Sequence, residues 1–248
     1  MKRKMKEVLK EISPLFLLLM VFPFLSASHK LKTTTISPVS KKTLKSDSAK
    51  PVAVPFSLYN AMDLEDAGLS EPAFQLALKG FGKLLEQGKI ENSSVLTVID
   101  FSKPSTTQRL FVLSLDSLKV LYKTFVAHGR NSGTLYANRF SNRVNSHMSS
   151  LGFYTTGNTY SGEHGYSLKL VGEEKGINDN AARRAIVIHG AYYVTPAYAN
   201  VKGYIGRSYG CPALPQKISR PIIETIKDGS CVFIYSPDGN YMKKSDLL

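Results

Sequence analysis

The stretch AIVIHGAYYVTPAYANVKGYIGRSYGCPAL, Ala185 to Leu214, decides how the rest of the chain is read. It opens on a short run of aliphatic residues and then reaches His189 and Gly190. Such a run, bounded by glycine, reads as a short buried strand. RAIVIHG therefore delivers His189 to the C-terminal end of a rigid element. The later part is rich in glycine, serine and tyrosine, which is loop chemistry. Cys211 stands there between Gly210 and Pro212, 22 positions after His189.

A cysteine nucleophile needs thiolate character, and a neighbouring histidine supplies it by forming an ion pair. The helix expected at ISRPIIETIKDG follows Cys211 closely, so its N-terminus would add to the effect. Gly210 has no side chain, which lets a substrate carbonyl approach the backbone. Consecutive N–H groups in a tight SYGC turn can face a developing oxyanion. Ser208 can donate or accept a hydrogen bond in that loop, and Arg207 is a fixed cation suited to a carboxylate. Spacing does not establish that His189 and Cys211 meet. A structural histidine at a strand end, with an unrelated loop cysteine, is the competing reading.

The other cysteine has a different setting. Cys231 lies in SCVFIY, a continuous apolar run that reads as a buried strand carrying an inert thiol. His128, His147 and His164 are scattered among loops without metal-ligand spacing, so neither a metal nor another cofactor is expected. His164, in GEHGYSLKL, is the candidate to line a cleft. Tyr192 and Tyr193 follow the His189–Ala191 segment and either pack or touch substrate.

Working outward, SVLTVIDF, RLFVLSL and KVLYKTFVAHG read as strands joined by short turns, which suggests antiparallel pairing. Before them, Phe74, Ala77, Leu78, Phe81, Leu84 and Leu85 share one helical face. Ser70 can cap that helix, Pro72 fits its first turn and Gly88 can end it, while Gly80 and Gly82 weaken it. Ser219 is the expected cap of the ISRPIIETIKDG helix. Residues 129–184 show little periodicity, and so long a tract is expected to form a cleft wall or to contain short strands of its own.

The N-terminus reads separately. Residues 1–28 combine a basic start, the apolar run PLFLLLMVFPFL and the small residues of SAS, the order of a secretory signal. The apolar run is well short of the ~20 residues a spanning helix needs, although retention as an anchor is the alternative. Residues 29–50 read as a flexible basic linker and residues 51–248 as the folded domain. The formal charge of +13 is shared between the first two segments, +3 and +5, and the remainder, +5. No nucleic-acid motif accompanies it. The linker is a solvated segment or is drawn weakly to an acidic polymer of the cell envelope. Export to the periplasm or envelope is expected, and nothing in the sequence sets an oligomeric state.

The pattern HGAYYV followed by GRSYGCPA resembles the murein L,D-transpeptidase catalytic domain family of the YkuD type. The resemblance extends over VAHGRNSG, SSLGFY, HGYSLKL and RAIVIHGA, roughly residues 75–242. It implies a β-rich α+β fold, a catalytic β-sandwich with a few short helices. It implies Cys211 as nucleophile and His189 as base, with Gly210, Ser208 and Gly190 positioning the loop and oxyanion. Arg207, Tyr209, His164 and Tyr192 would contact substrate. The implied reaction cleaves the peptidoglycan stem tetrapeptide and passes its acyl group to an amine, giving a 3–3 crosslink. Tyr209 and Ala213 stand where better-studied branches carry histidine and arginine, and Arg207 is the candidate substitute for that arginine. Transfer to water would make an L,D-carboxypeptidase. A general cysteine peptidase and a non-catalytic peptidoglycan-binding module are the remaining alternatives.

Overall fold

The computed structural model describes residues 57–248. The expected signal at 1–28 and linker at 29–50 lie outside the described residues.

The three strands read from their β-rich pattern form an antiparallel meander: β1 (Val95–Asp100), β2 (Leu110–Ser114) and β3 (Lys119–Thr124). On its other side β1 pairs in parallel with β8 (Cys231–Tyr235), which is buried along its whole length. An eight-stranded sheet results, in the order β3-β2-β1-β8, then β4 (Gly152–Gly162), β5 (Gly165–Gly172), β6 (Val187–Ala191) and β7 (Ala213–Pro215). Its two ends are joined. The chain leaving β3 returns to β7 (Ala213–Pro215), where the Ala127 N–H donates to the Ala213 carbonyl at 2.9 Å. The fold is sheet-rich with several short helices.

The tract 129–184 carries the longest strands of the sheet. β4 (Gly152–Gly162) and β5 (Gly165–Gly172) form a hairpin closed by Glu163 and His164. The first half of β4 is buried on both faces and the second half is mostly exposed. Period-two alternation is therefore missing where the strand is most deeply embedded. β5 then pairs with β6 (Val187–Ala191), setting Ser167 opposite His189. His189 is thus mid-strand rather than at the strand end. On its other side it pairs with Ala213 of β7.

Among the described residues, six helices lie around the sheet. The first two are single turns, α1 (Leu58–Ala61) and α2 (Leu64–Ala67). α3 (Glu71–Glu86) buries Phe74, Ala77, Phe81 and Leu84, the face read from the sequence. Gly80, a poor helix former, is explained by packing. A Cβ there would lie 2.0 Å from the Phe153 ring of β4. That ring stacks in turn on Phe233 of β8, with centroids 4.2 Å apart. Ser70 occupies the N-cap position, but its hydroxyl makes no capping bond. Its backbone N–H instead donates to Asp100 Oδ2 at 3.3 Å, tying the helix start to the end of β1.

α4 (Pro196–Lys202) lies inside the stretch read as loop, capped by Thr195 Oγ1, which accepts from the Tyr198 N–H. α5 (Gln216–Ile226) begins earlier than expected, so Ser219 and Pro221 fall within it. Ser219 is not its cap; its hydroxyl donates to the Gln216 carbonyl at 3.0 Å. α6 (Gly239–Lys244) follows the last strand, and its Tyr241 donates to the buried Glu174. Burial holds the Glu174 carboxyl above its ordinary pKa.

Candidate active site

The β6–β7 pairing brings the two halves of the His–Cys stretch together. His189 and Cys211 line one open cavity of about 490 Å³, within the range of small-ligand sites. Arg207, Ser208, Tyr209, Tyr192 and His164 line it too. So do Tyr193, already a candidate for packing or substrate contact, and Arg130, Tyr198 and Tyr204, which the sequence did not single out. No aspartate or glutamate is among the described residues lining the cavity, and neither arginine joins an ion pair there.

Both cysteines are free. Cys231 is fully buried and its thiol pKa is pushed far up by that burial. Cys211 is half-buried at the residue level. Its sulfur accepts from the Val187 N–H at 3.4 Å, and its thiol faces the Ala185 carbonyl at 3.6 Å. Burial raises the Cys211 pKa, while the Val187 N–H, the Arg184 charge and its own backbone N–H oppose the rise. Among the described residues no hydrogen bond joins Cys211 to His189, although both line the cavity.

Arg184 is a contributor that sequence reading missed. It reaches the Ser141 carbonyl at 2.8 Å and also bonds Ser150 Oγ and the Met148 carbonyl. These bonds fix a guanidinium close to Gly210 and Cys211. It was one arginine of a pair in ARRAIV, with nothing to mark it.

His189 is 3% exposed. Its Nδ1 lies 3.0 Å from the Gly190 carbonyl. A ring nitrogen facing a carbonyl must donate, so Nδ1 carries the proton and Nε2 is left as the basic atom. Burial lowers the His189 pKa first; the Gly190 carbonyl opposes this and nearby His164 adds to it. Gly190 also admits helix α5, since a Cβ there would meet Ser219 Oγ at 2.5 Å.

The signature turn is held from within. Ser208 Oγ donates to the Cys211 carbonyl at 2.6 Å and accepts from the Gly210 N–H at 3.0 Å. The Gly210 N–H, an expected oxyanion donor, is therefore already engaged. Gly210 itself has φ +127, and a Cβ there would meet the Met148 carbonyl at 2.8 Å. Arg207 donates from one nitrogen to the Arg130 and Gly133 carbonyls and lies over the Tyr204 ring. Tyr209 is 65% exposed, stacked on His147 and beneath the Arg130 guanidinium. Tyr192 is 80% exposed and meets Tyr193 edge-on.

Behind the turn lies a buried polar network. Arg109 and His128 are both fully buried. Arg109 donates to His128 Nδ1 at 2.8 Å and to the Val126 and Lys103 carbonyls, and His128 Nε2 faces the Gly133 carbonyl. Burial and the Arg109 charge lower the His128 pKa to about 3. The His128 carbonyl accepts from the Ser208 N–H, so this network supports the Cys211 turn.

A family model described as the L,D-transpeptidase catalytic domain matches residues 65–235. The chain belongs to the L,D-transpeptidase catalytic-domain family. No curated protein matches it. Among solved structures, an L,D-transpeptidase from Mycobacterium smegmatis is 15% identical, with a TM-score of 0.36 over 58% of this chain and 59% of that one. An L,D-transpeptidase from Mycobacterium tuberculosis is 13% identical, with a TM-score of 0.37 over 58% of each chain. The helical cell shape determining protein Pgp2 from Campylobacter jejuni, as a K307A mutant, is 15% identical, with a TM-score of 0.39 over 64% and 56%. The chain thus spans under two thirds of the length of these L,D-transpeptidase neighbours. Family membership rests on the family model. The family acts on peptidoglycan stem peptides.

Proposed function

We propose that this chain is an exported cell-wall L,D-transpeptidase in which Cys211 is the nucleophile and His189 the general base. The observation that carries the reading is a single cavity lined by Cys211, a histidine with a free Nε2, two arginines and no carboxylate. Such a lining suits an anionic peptide that undergoes acyl transfer.

His189 Nε2 takes the Cys211 thiol proton as the sulfur attacks the carbonyl of the third stem residue. Burial raises the Cys211 thiol pKa, so the attack draws on His189 as the base that takes its proton. The oxyanion faces the Cys211 N–H, since the Gly210 N–H is spent on Ser208. Collapse breaks the peptide bond, and D-alanine leaves with the proton from His189. A thioester remains on Cys211. The amine of a second stem then attacks it, His189 accepts the amine proton, and the thiol is regenerated with a 3–3 crosslink formed. Arg207 and Arg130 are suited to substrate carboxylates, with Arg207 supplying the charge that Ala213 lacks. The basic segment at 29–50 would hold the domain near acidic envelope polymers.

Mass spectrometry of the purified protein with disaccharide-tetrapeptide, beside Cys211→Ala, tests this. A Cys211-dependent dimer lacking D-alanine is expected. A Cys211-dependent tripeptide alone would make the site a carboxypeptidase. An unchanged tetrapeptide in both samples, with wall binding retained, would make it a binding module.

A further inference from the structure

His164 comes from the β4–β5 turn, distant in sequence from the His–Cys stretch, yet its imidazole lies against that of His189. The ring centroids are 4.4 Å apart and the planes 23° from parallel. His164 is exposed and His189 is almost entirely buried. The outer ring therefore shields a face of the inner one from water. It does so without touching the Nδ1 bond to Gly190, and Nε2 stays available. Resting on the reading of His189 as base, we propose that His164 is a positioning residue, stacked on His189 to hold it uncharged, dry and correctly turned toward Cys211.

The physical reason is electrostatic, because the two rings are in face contact with centroids 4.4 Å apart. A proton on either ring opposes a proton on the other. Other groups face the same base. Tyr192 and Tyr193 come from the segment after β6, Arg207 and Cys211 from the signature turn, and Arg130 from across the cavity. The arginines also disfavour a second positive charge, but they engage Tyr204 and Tyr209 rather than the His189 ring. Glu163 adjoins His164 in the hairpin turn and acts in the opposite sense. On the α5 side, the atoms packed against Gly190 belong to the uncharged Ser219 and Gln216. Ring contact thus sets His164 apart from the other groups.

The test is an NMR titration of the His189 imidazole in the wild-type chain, His164→Phe and His164→Gln, alongside the pH profile of Cys211 acylation by the stem tetrapeptide. Position 164 is an exposed turn site, so both variants are expected to fold. Phe keeps a flat ring and removes the charge, whereas Gln removes both. The His189 midpoint should rise by roughly 0.7 pH unit or more in each variant, the effect of one charge near 4 Å in a water-like medium. The acid limb of acylation should move with it, reducing the rate on that limb about fivefold with little change in KM. A His189 midpoint unmoved in both variants overturns the proposal. So does a rise in KM with an unmoved pH profile, which would make His164 a substrate contact. A shifted midpoint in a protein whose Cys211 is never acylated would keep the coupling and overturn the transpeptidase reading instead.

Discussion

Replacing Ser208 by alanine removes the hydroxyl that closes the turn around Cys211. That hydroxyl bonds the Gly210 N–H and the Cys211 carbonyl, and both Ser208 and Gly210 are buried. Water cannot readily take over, so the Gly210 N–H is left without an acceptor at a cost of about 1–3 kcal/mol. The lost bond to the Cys211 carbonyl adds roughly 1 kcal/mol. Ser208→Ala should therefore lower unfolding stability by about 2–4 kcal/mol. At ~2–4 °C per kcal/mol for a domain of this size, Tm should fall by about 4 °C at the least. Because the two bonds flank Cys211, its rate of alkylation by iodoacetamide should change as well. Urea unfolding and timed alkylation measure the two effects on the same samples. Ser208→Thr keeps the hydroxyl and should recover most of the stability. Stability within about 0.5 kcal/mol of wild type, with unchanged alkylation, would refute the view that Ser208 holds the turn.

Gly80→Ala should destabilise by roughly 1–3 kcal/mol despite the better helix former, because its Cβ meets the Phe153 ring. Gly82→Ala, with open space around it, should stabilise by up to ~1 kcal/mol; equal effects in urea unfolding would undo the packing argument. His128 has a depressed folded-state pKa, so the folded chain resists a proton that the unfolded chain accepts below about 6.5. Its contribution is fully present above that pH and is lost progressively as pH falls toward about 3, at up to ~1.4 kcal/mol per pH unit. His128→Gln should flatten this part of the stability-against-pH curve, and a curve of unchanged slope would remove His128 as its source. Mapping of iodoacetamide adducts on the native protein should find Cys211 and not Cys231, which denaturant alone exposes; a native adduct on Cys231 would contradict its burial.

The elements legible in the sequence are those whose signals are local. The α3 stripe from Phe74 to Leu84, the antiparallel meander and the buried strand around Cys231 all follow from periodicity and side-chain type. The strand histidine and the glycine-flanked cysteine, both legible as local pattern, line the same cavity. The β4–β5 hairpin was hidden because its inner half is buried on both faces and its outer half is polar, so no alternation runs its length. Caps misled for a related reason. Ser70 and Ser219 are of the capping type, but Asp100 takes the Ser70 N–H and α5 starts before Ser219.

What the sequence determined by itself was the set of residues on offer: one glycine-flanked cysteine in a loop, one histidine on a strand, and the glycines that let backbone approach. What only the tertiary structure decided was which groups meet them. Arg184 sits near Gly210 and its charge acts on Cys211, His164 lies on His189, and Arg109 bonds His128, each brought together from separate parts of the chain. Sequence pattern reports the period of a helix or strand. Burial, ring stacking and the direction of a pKa shift depend on what the sheet folds against a residue, and the β5-β6-β7 pairing makes those choices here.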